Sequence, residues 1–240
     1  MNTKTKPTIG YWKIRGLAAS IRYQLQYQGV EYDLVEYELG DAPEYSFDNW
    51  KKEKFNLGLD FPNIPYLMEG DFKITETTAI HRYIAERWNP ELLGRDAQHR
   101  ALVNMVGNVV HDAKFPLAMP GYAGDLDKLN EEIAKRIPPI VAFMRGKFLT
   151  GDAPSWVDFY FFEIIEGMTM YTKGKIFQDY PQLVAFHHNV ANLAGLKEYL
   201  SNPDSLDKVR SFNNKQAKIN GTAADTDLYV KQAYEEHDLQ

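Results

Sequence analysis

The spacing of apolar residues changes character close to the dipeptide Asn89-Pro90, and this change limits the fold more than any other feature of the chain. Before it, short β-rich runs alternate with helical segments. After it, apolar residues recur every three or four positions, which is the period of an amphipathic helix. The sequence therefore predicts a small α/β domain over residues 1–89 and an all-helical domain over residues 90–240.

The α/β part has the predicted order βαβ followed by ββα. Strands are expected over Thr8–Ile14 and Tyr32–Glu38, with a helix over Ser20–Gln28 between them. The tripeptide Glu69-Gly70-Asp71 is typical of a hairpin turn between two further strands. A helix is then expected to begin at residue 75 or 76.

The helical part is divided by Pro, Gly and Asp residues into four expected helical segments, over residues 97–115, 126–147, 156–171 and 183–200. Pro138-Pro139 lies inside the second segment and predicts a break or a helix start, because proline lacks a backbone donor. Ser155 and Asp158 have the spacing of a capping box before the third segment.

A polar tail begins at about residue 201. Its stretch 227–236 is compatible with a short helix or with disorder. Because residues 221–240 include few large apolar side chains, their removal is expected to leave the fold intact.

Composition excludes several classes of function. The 240 residues include no cysteine, which excludes disulfides, cysteine zinc sites and a cysteine nucleophile. The 27 basic and 33 acidic residues give a net charge of −6, without the basic excess of a nucleic-acid-binding protein. No apolar run approaches the ~20 residues of a membrane span, and the N-terminus lacks the apolar core of a signal peptide. The six histidines show no ligand spacing, so no metal is expected. A cytoplasmic protein that binds neither nucleic acid nor membrane is predicted.

Tyr11 is a candidate functional residue because it lies near the end of the first predicted strand. Ligands of open α/β sheets bind at the carboxyl ends of strands, where a phenol can donate a hydrogen bond to an anion. The alternative is a core tyrosine, one of 15 in the chain.

Two further segments are candidates for ligand binding. In Asn63-Ile64-Pro65, a cis bond before Pro65 would free the backbone of Ile64 to pair with an extended peptide. The alternative is an ordinary trans proline. Glu76-Thr77-Thr78 is expected at a helix N-terminus, where free N–H groups suit a carboxylate, and the alternative is a simple helix cap.

Four segments together resemble the mu-class glutathione transferases. They are GYWKIRGL (10–17), LGDAPEY followed by W-x-x-E-K-F (39–55), NLGLDFPNIPYLMEGDFKIT (56–75) and AIHRYIAERW (79–88). The resemblance is dense over about residues 1–95, thinner over 96–200 and largely lost in the tail. It implies a thioredoxin-like βαβ-ββα N-terminal domain followed by an all-helical C-terminal domain, an α/β plus all-α fold.

The resemblance also implies an activity. Such an enzyme conjugates the thiolate of glutathione, its co-substrate, to small electrophilic, mostly hydrophobic substrates, and it is a cytosolic homodimer without a metal. Two alternatives stay open: a non-catalytic ligand-binding or structural descendant, and a glutathione-dependent isomerase on the same fold.

Matched by motif, Tyr11 hydrogen-bonds the glutathione sulfur and the backbone of Ile64, before Pro65, pairs with the cysteinyl unit. Glu76 and Thr77 hold the γ-glutamyl end. The other implied glutathione contacts are Trp12, Leu17, Trp50, Lys54, Asn63 and, from the partner subunit, Asp112.

The resemblance gives two more residues a role. Tyr122 lies over the electrophile and assists the leaving group or an oxyanion. Phe61 inserts between helices of the partner subunit. The alternative for Phe61 is burial within its own chain.

The chain departs from the mu pattern at three positions. Phe47 stands where an arginine is usual, Glu76 stands where a glutamine is usual, and Lys13 stands where an acid is common. The first change implies that Lys54 holds more of the glycyl end. The second places a carboxylate near a ligand carboxylate.

Overall fold

A four-stranded mixed sheet forms the first part of the chain in a computed structural model that describes residues 5–239. The elements are β1 (Thr8–Trp12), α1 (Ala19–Tyr27), β2 (Asp33–Tyr37), α2 (Asp48–Lys54), β3 (Tyr66–Glu69), β4 (Phe72–Thr75) and α3 (Thr77–Trp88). The strand order is β2-β1-β3-β4. β1 runs parallel to β2 and antiparallel to β3, and β3 and β4 form the expected hairpin. The predicted order βαβ-ββα is therefore confirmed.

The helix α2 is an element that the sequence did not predict. Its residues DNWKKEK are nearly all polar, and only Trp50 is buried. A helix this short and polar shows no apolar periodicity, so its pattern resembles that of a loop.

The rest of the described chain is helical. A 3-10 turn, Pro90–Leu93, leads into α4 (Ala97–Ala123), α5 (Leu126–Phe143), α6 (Trp156–Thr172), α7 (Lys175–Asp179), α8 (Gln182–Ala191), α9 (Leu196–Ser201), α10 (Leu206–Val209) and α11 (Ala224–Glu236). Among the residues 5–239, no helix is long and apolar enough to cross a membrane.

The predicted break at Pro138-Pro139 is wrong, because α5 continues through both prolines. Each proline removes one helical hydrogen bond. The buried stripe of Ile133, Ile137 and Ile140 spans the prolines and holds the helix against the core. Packing of an amphipathic face thus outweighs the local preference.

Three other helix bounds differ from the expectation. The segment predicted over 126–147 ends at Phe143. The helix predicted over 97–115 extends to Ala123 and passes through Pro116 and Pro120. The segment 183–200 divides into α8 and α9, with Gly195 at φ 79° between them. That backbone conformation favours glycine and ends a right-handed helix.

Helix α6 lies at the centre of the helical part, and every residue from Trp156 to Tyr171 is buried. Its predicted capping box is confirmed: the Asp158 carboxylate accepts from the backbone N–H and the hydroxyl of Ser155, both at 2.7 Å. Burial raises the pKa of Asp158 to about 6. The box fixes the start of the helix against which α1, α4 and α8 pack.

The tail is folded, and its last helix packs on the protein. On α11, Thr226 and Ala233 are buried, and the Tyr234 hydroxyl lies 2.6 Å from Nδ1 of His187. The premise that residues 221–240 contribute little to packing is therefore wrong. The buried Thr226 and Ala233, the partly buried Val230 and Tyr234, and the Tyr234–His187 hydrogen bond attach this helix to the core.

Candidate active site

Tyr11 lies at the carboxyl end of β1 with its side chain only 8% exposed. Its phenol oxygen accepts a hydrogen bond from the backbone N–H of Leu17, at 3.1 Å. Burial raises the pKa of Tyr11 well above its usual range, although the bond from Leu17 opposes this effect. At neutral pH the phenol therefore keeps its proton and acts as a hydrogen-bond donor.

The loop between β1 and α1 approaches Tyr11 closely because residue 16 is glycine. Gly16 has φ 48°, and a Cβ atom added there would lie 2.6 Å from the Tyr11 hydroxyl oxygen. This position needs glycine both for its backbone conformation and for space. The close approach places the Leu17 N–H on the phenol.

Aromatic side chains surround this end of the sheet. Trp12 makes edge-to-face contacts with Tyr37 and Phe47, at centroid distances of 6.3 and 5.6 Å. Trp50, on α2, packs edge-on against Tyr37. One apolar cluster includes five of the predicted site residues: Tyr11, Trp12, Leu17, Trp50 and Ile64. Packing thus brings together residues that are far apart along the chain.

The peptide bond between Ile64 and Pro65 is cis, so the alternative of an ordinary trans proline is wrong. Both residues are buried and lie directly before β3. Because β3 pairs with β1, Ile64 packs in the same apolar cluster as Tyr11.

Asn63 and Glu76 meet in front of helix α3. The Asn63 side-chain amide donates to the Glu76 carboxylate at 3.4 Å. Glu76 has φ 72°, which is uncommon for a residue with a side chain. Thr77, the first residue of α3, is buried. The first N–H groups of α3 therefore adjoin the loop that includes Asn63, and such groups favour an anion.

The apolar cluster around Tyr11 does not include Lys54, Asp112 or Phe61. Lys54 ends α2, with Nζ 5.5 Å from the centre of the Phe55 ring. Asp112 is exposed on α4. Phe61 is 77% exposed, so the alternative of burial within its own chain is excluded.

Tyr122 lies near the end of α4, where the tail crosses it. Its hydroxyl oxygen accepts a hydrogen bond from the backbone N–H of Asn214, at 3.3 Å. Burial raises the pKa of Tyr122, and electrostatic interaction with Tyr122 is one of the effects that raise the pKa of Tyr11.

The tail also forms one wall of a cavity beside Trp12. The cavity has a volume of about 360 Å³. Trp12, Ile14 and Tyr37 line one side, and Arg210 and Asn214 of the tail line the other. Asn214 thus borders both this cavity and the Tyr122 hydroxyl.

Sequence reasoning missed a buried ionic cluster next to Tyr11. Arg15 is fully buried, and its guanidinium binds Glu163 at 2.6 Å and Glu166 at 3.1 Å. The signal available in the sequence was the presence of two acidic residues, Glu163 and Glu166, inside an otherwise apolar run of α6. Arg15 lies 148 positions away from Glu163, so the pairing depends on the fold.

No group of three or more residues among positions 5–239 is arranged to hold a metal ion. The site is instead a phenol at the end of a strand, with main-chain groups, a helix N-terminus and aromatic side chains around it. A mixed four-stranded sheet followed by a helical part is the architecture of proteins that combine a thioredoxin-like domain with a helical domain, and similarity to known proteins identifies the family.

Two family models match the chain. The model of the glutathione S-transferase N-terminal domain matches residues 7–86, and that of the C-terminal domain matches residues 119–203. Among curated relatives, glutathione S-transferase Mu 2 of Mus musculus is 35% identical over 206 residues, with 84% of this chain and 93% of the relative covered. Glutathione S-transferase Mu 2 of Homo sapiens is 35% identical, covering 85% of this chain and 89% of the relative.

A solved structure shows the same architecture. The structure of the glutathione S-transferase Blo t 8 superposes with a TM-score of 0.77 at 27% identity, covering 88% of this chain and 99% of that one. The chain therefore belongs to the glutathione S-transferase family. Its similarity to mu-class members and its two-part fold confirm the family and the fold class that the sequence predicted.

Proposed function

We propose that this protein is a glutathione transferase that joins the glutathione sulfur to electrophilic carbon atoms of mostly hydrophobic substrates. The observation that carries the proposal is Tyr11, a buried and protonated phenol at the end of β1 whose oxygen is held by the Leu17 N–H. In a member of this family, such a donor is suited to a bound thiolate.

The chemistry follows from the pKa of a thiol. A free thiol has a pKa of about 8.5, so only a small fraction is thiolate at neutral pH. A hydrogen bond from Tyr11 to sulfur stabilises the anion, and each unit of pKa lowering is worth about 1.4 kcal/mol. The thiol proton leaves to solvent, the thiolate forms a C–S bond, and the bond to the leaving group breaks. Tyr11 donates a hydrogen bond throughout.

We assign glutathione to the groups that the fold gathers around Tyr11. The main chain of Ile64, directly before β3, pairs with the cysteinyl unit. Thr77 and the N-terminus of α3 hold the γ-glutamyl carboxylate. Lys54 binds the glycyl carboxylate. The remaining proposed contacts are Trp12, Leu17, Trp50, Asn63, Glu76 and the partner's Asp112.

Two of the three departures from the mu pattern, Phe47 and Glu76, have structural accounts that fit this assignment. Phe47 packs its ring on Trp12, so it shapes the aromatic wall and leaves Lys54 as the cation for the glycyl end. Glu76 accepts a hydrogen bond from Asn63. That hydrogen bond offsets part of the Glu76 charge beside the γ-glutamyl carboxylate of the ligand. The Glu76 carboxylate also suits the ammonium group of the ligand.

The helical part supplies the electrophile side of the site. Because the Tyr122 oxygen accepts from Asn214, its own hydroxyl proton is free to reach a leaving group or an oxyanion. We place the domain boundary at residues 89–90. We further propose a cytosolic homodimer in which Phe61, exposed in the single chain, is buried by the partner subunit.

The test is conjugation of glutathione to an aryl halide by the purified full chain, with inhibition by S-hexylglutathione. A rate well above the uncatalysed reaction, abolished by saturating inhibitor, supports the proposal. Saturable glutathione binding without conjugation of aryl halides, epoxides or unsaturated ketones would favour the ligand-binding alternative. Absence of both binding and conjugation would overturn the assignment of the site.

A further inference from the structure

A chain of buried hydrogen bonds joins the tail helix to the loop beneath Tyr11. At the tail end, the Tyr234 hydroxyl lies 2.6 Å from Nδ1 of His187. The other ring nitrogen, Nε2, lies 2.7 Å from the Glu166 carboxylate. Since a carboxylate only accepts, Nε2–H donates to it, and in the neutral ring Nδ1 accepts from Tyr234. Tyr234 is thereby linked to α6 through one histidine.

The same carboxylate continues the chain toward the active site. The second oxygen of Glu166 accepts from Nη2 of Arg15 at 3.1 Å. That nitrogen also donates to Glu163 at 2.6 Å and to the Tyr23 hydroxyl at 2.7 Å. Arg15 is therefore fixed by three partners from α1 and α6, and it directly precedes Gly16 and Leu17.

The tail holds the loop from the opposite side. The N–H groups of Arg15 and Gly16 donate to the carbonyl oxygens of Ser211 and Phe212, at 2.8 and 3.1 Å. The Arg15 guanidinium lies 3.9 Å from the centre of the Phe212 ring. The loop that presents the Leu17 N–H to Tyr11 is thus clamped between α6 and the tail.

Burial makes this arrangement sensitive to the loss of one member. Burial alone would raise the pKa of Glu166, but hydrogen bonding to His187 and the charge of Arg15 bring it down to about 2. Charged groups that are buried away from water interact strongly, and the energy of the interaction depends steeply on the distance and orientation of the groups. A displaced Glu166 would therefore be expected to move Arg15 with it.

We propose that Tyr234 and His187 are positioning residues for the transferase reaction: through Glu166 and Arg15 they set the loop that places the Leu17 N–H on the Tyr11 phenol. The inference rests on the proposed function. It assigns a role to α11, in the part of the chain where resemblance to the mu pattern is largely lost.

A matched tyrosine on the same helix provides the control. Tyr229 also lies on α11, where it packs against Gly174, and its hydroxyl has no hydrogen-bond partner among the described residues. Tyr234→Phe and Tyr229→Phe each remove one hydroxyl and keep the ring. Only the first should affect the hydrogen-bonded chain.

The experiment measures the thiol pKa of enzyme-bound glutathione from thiolate absorbance as a function of pH, together with kcat and the glutathione KM. Tyr234→Phe should raise the bound thiol pKa and lower kcat by roughly three- to tenfold, with a smaller change in KM. Tyr229→Phe should match the unmodified protein. In a Glu166→Gln background, which removes the carboxylate between His187 and Arg15, Tyr234→Phe should have little further effect.

Equal behaviour of the two tyrosine variants would overturn the inference. Tyr234→Phe could instead lower kcat only in proportion to the loss of folded protein and leave the thiol pKa of bound glutathione unchanged. That result would also overturn the inference, because Tyr234 would then have a structural role alone. Additive effects of Tyr234→Phe and Glu166→Gln would contradict the proposed route. If the unmodified chain binds no glutathione, the proposed function fails, and this inference fails with it.

Discussion

The backbone N–H of Leu17 donates a 3.1 Å hydrogen bond to the phenol oxygen of Tyr11. A hydroxyl that accepts such a bond is polarised and becomes a better donor. The bond also fixes the position of the phenol oxygen, so the phenol proton points away from the Leu17 N–H. The proposed catalytic feature is therefore a pair formed by a side chain and a main-chain group six residues later.

Replacing Gly16 with alanine should disturb this pair. The new Cβ would lie 2.6 Å from the Tyr11 oxygen, and kcat should fall roughly 10- to 100-fold because small misplacements of a catalytic group are costly. Gly29→Ala is the control: its φ of 63° imposes similar backbone strain, but nothing lies within 4 Å of the added atom. Steady-state kinetics should show a loss in the first variant alone, and equal losses would remove steric contact with Tyr11 as the cause.

Acid should destabilise the protein partly through Glu166. Its pKa is about 2 in the folded protein against an ordinary value of 4.5, so its stabilising contribution is present above pH 4.5 and is lost as pH falls toward 2. Between about pH 6 and pH 3 this loss amounts to roughly 2 kcal/mol. Urea unfolding at both pH values should show a smaller acid effect in Glu166→Gln. The exposed Glu131→Gln serves as control, and a full acid effect in Glu166→Gln would contradict the ion-pair account.

Removing residues 221–240 should lower the melting temperature by roughly 5–10 °C, because α11 buries Thr226 and Ala233 and the Tyr234 hydroxyl. Leu228→Ser, at a residue of this helix that is 69% exposed, should have little effect. Thermal unfolding followed by circular dichroism makes the comparison. An unchanged melting temperature after truncation would restore the expectation drawn from the sequence.

Phe61→Glu should weaken the proposed dimer. Phe55→Glu is a matched control, since both side chains are 77% exposed in the single chain and only Phe61 is assigned to the interface. Sedimentation equilibrium should give a dimer for the unmodified protein and for Phe55→Glu. It should give monomer for Phe61→Glu, since a charge in an apolar contact is costly. A dimer in all three would exclude Phe61 from the interface.

Much of the fold could be predicted because apolar periodicity is a local signal. It indicated the order of the strands and helices before residue 90, and the capping box of Ser155 and Asp158 marked the start of α6. It failed where packing is non-local. In α5, the packing of a buried apolar face outweighs the two prolines. Helix α11 packs through partly buried residues such as Val230 and Tyr234, and the Tyr234–His187 hydrogen bond depends on a partner 47 positions away.

The candidate site likewise includes residues that local sequence signals could predict and contacts that only the fold determines. Tyr11 and Pro65 could be proposed from their local positions and from the resemblance. The Leu17 N–H could not be assigned to the phenol from composition or spacing, because its direction depends on the left-handed backbone of Gly16. Apart from Tyr23, the partners of Arg15 lie on α6 and the tail, far away in sequence, so their approach is a consequence of tertiary structure.

The most direct test is the thiol pKa of glutathione bound to the unmodified protein and to Tyr11→Phe, obtained from pH–rate profiles of conjugation to one aryl halide. The account predicts a bound thiol pKa below the free value in the unmodified protein. In Tyr11→Phe it predicts a rise toward that value and a fall in kcat at neutral pH of roughly 10- to 100-fold, with a smaller change in glutathione KM. An unchanged profile in Tyr11→Phe would show that the phenol does not stabilise the thiolate.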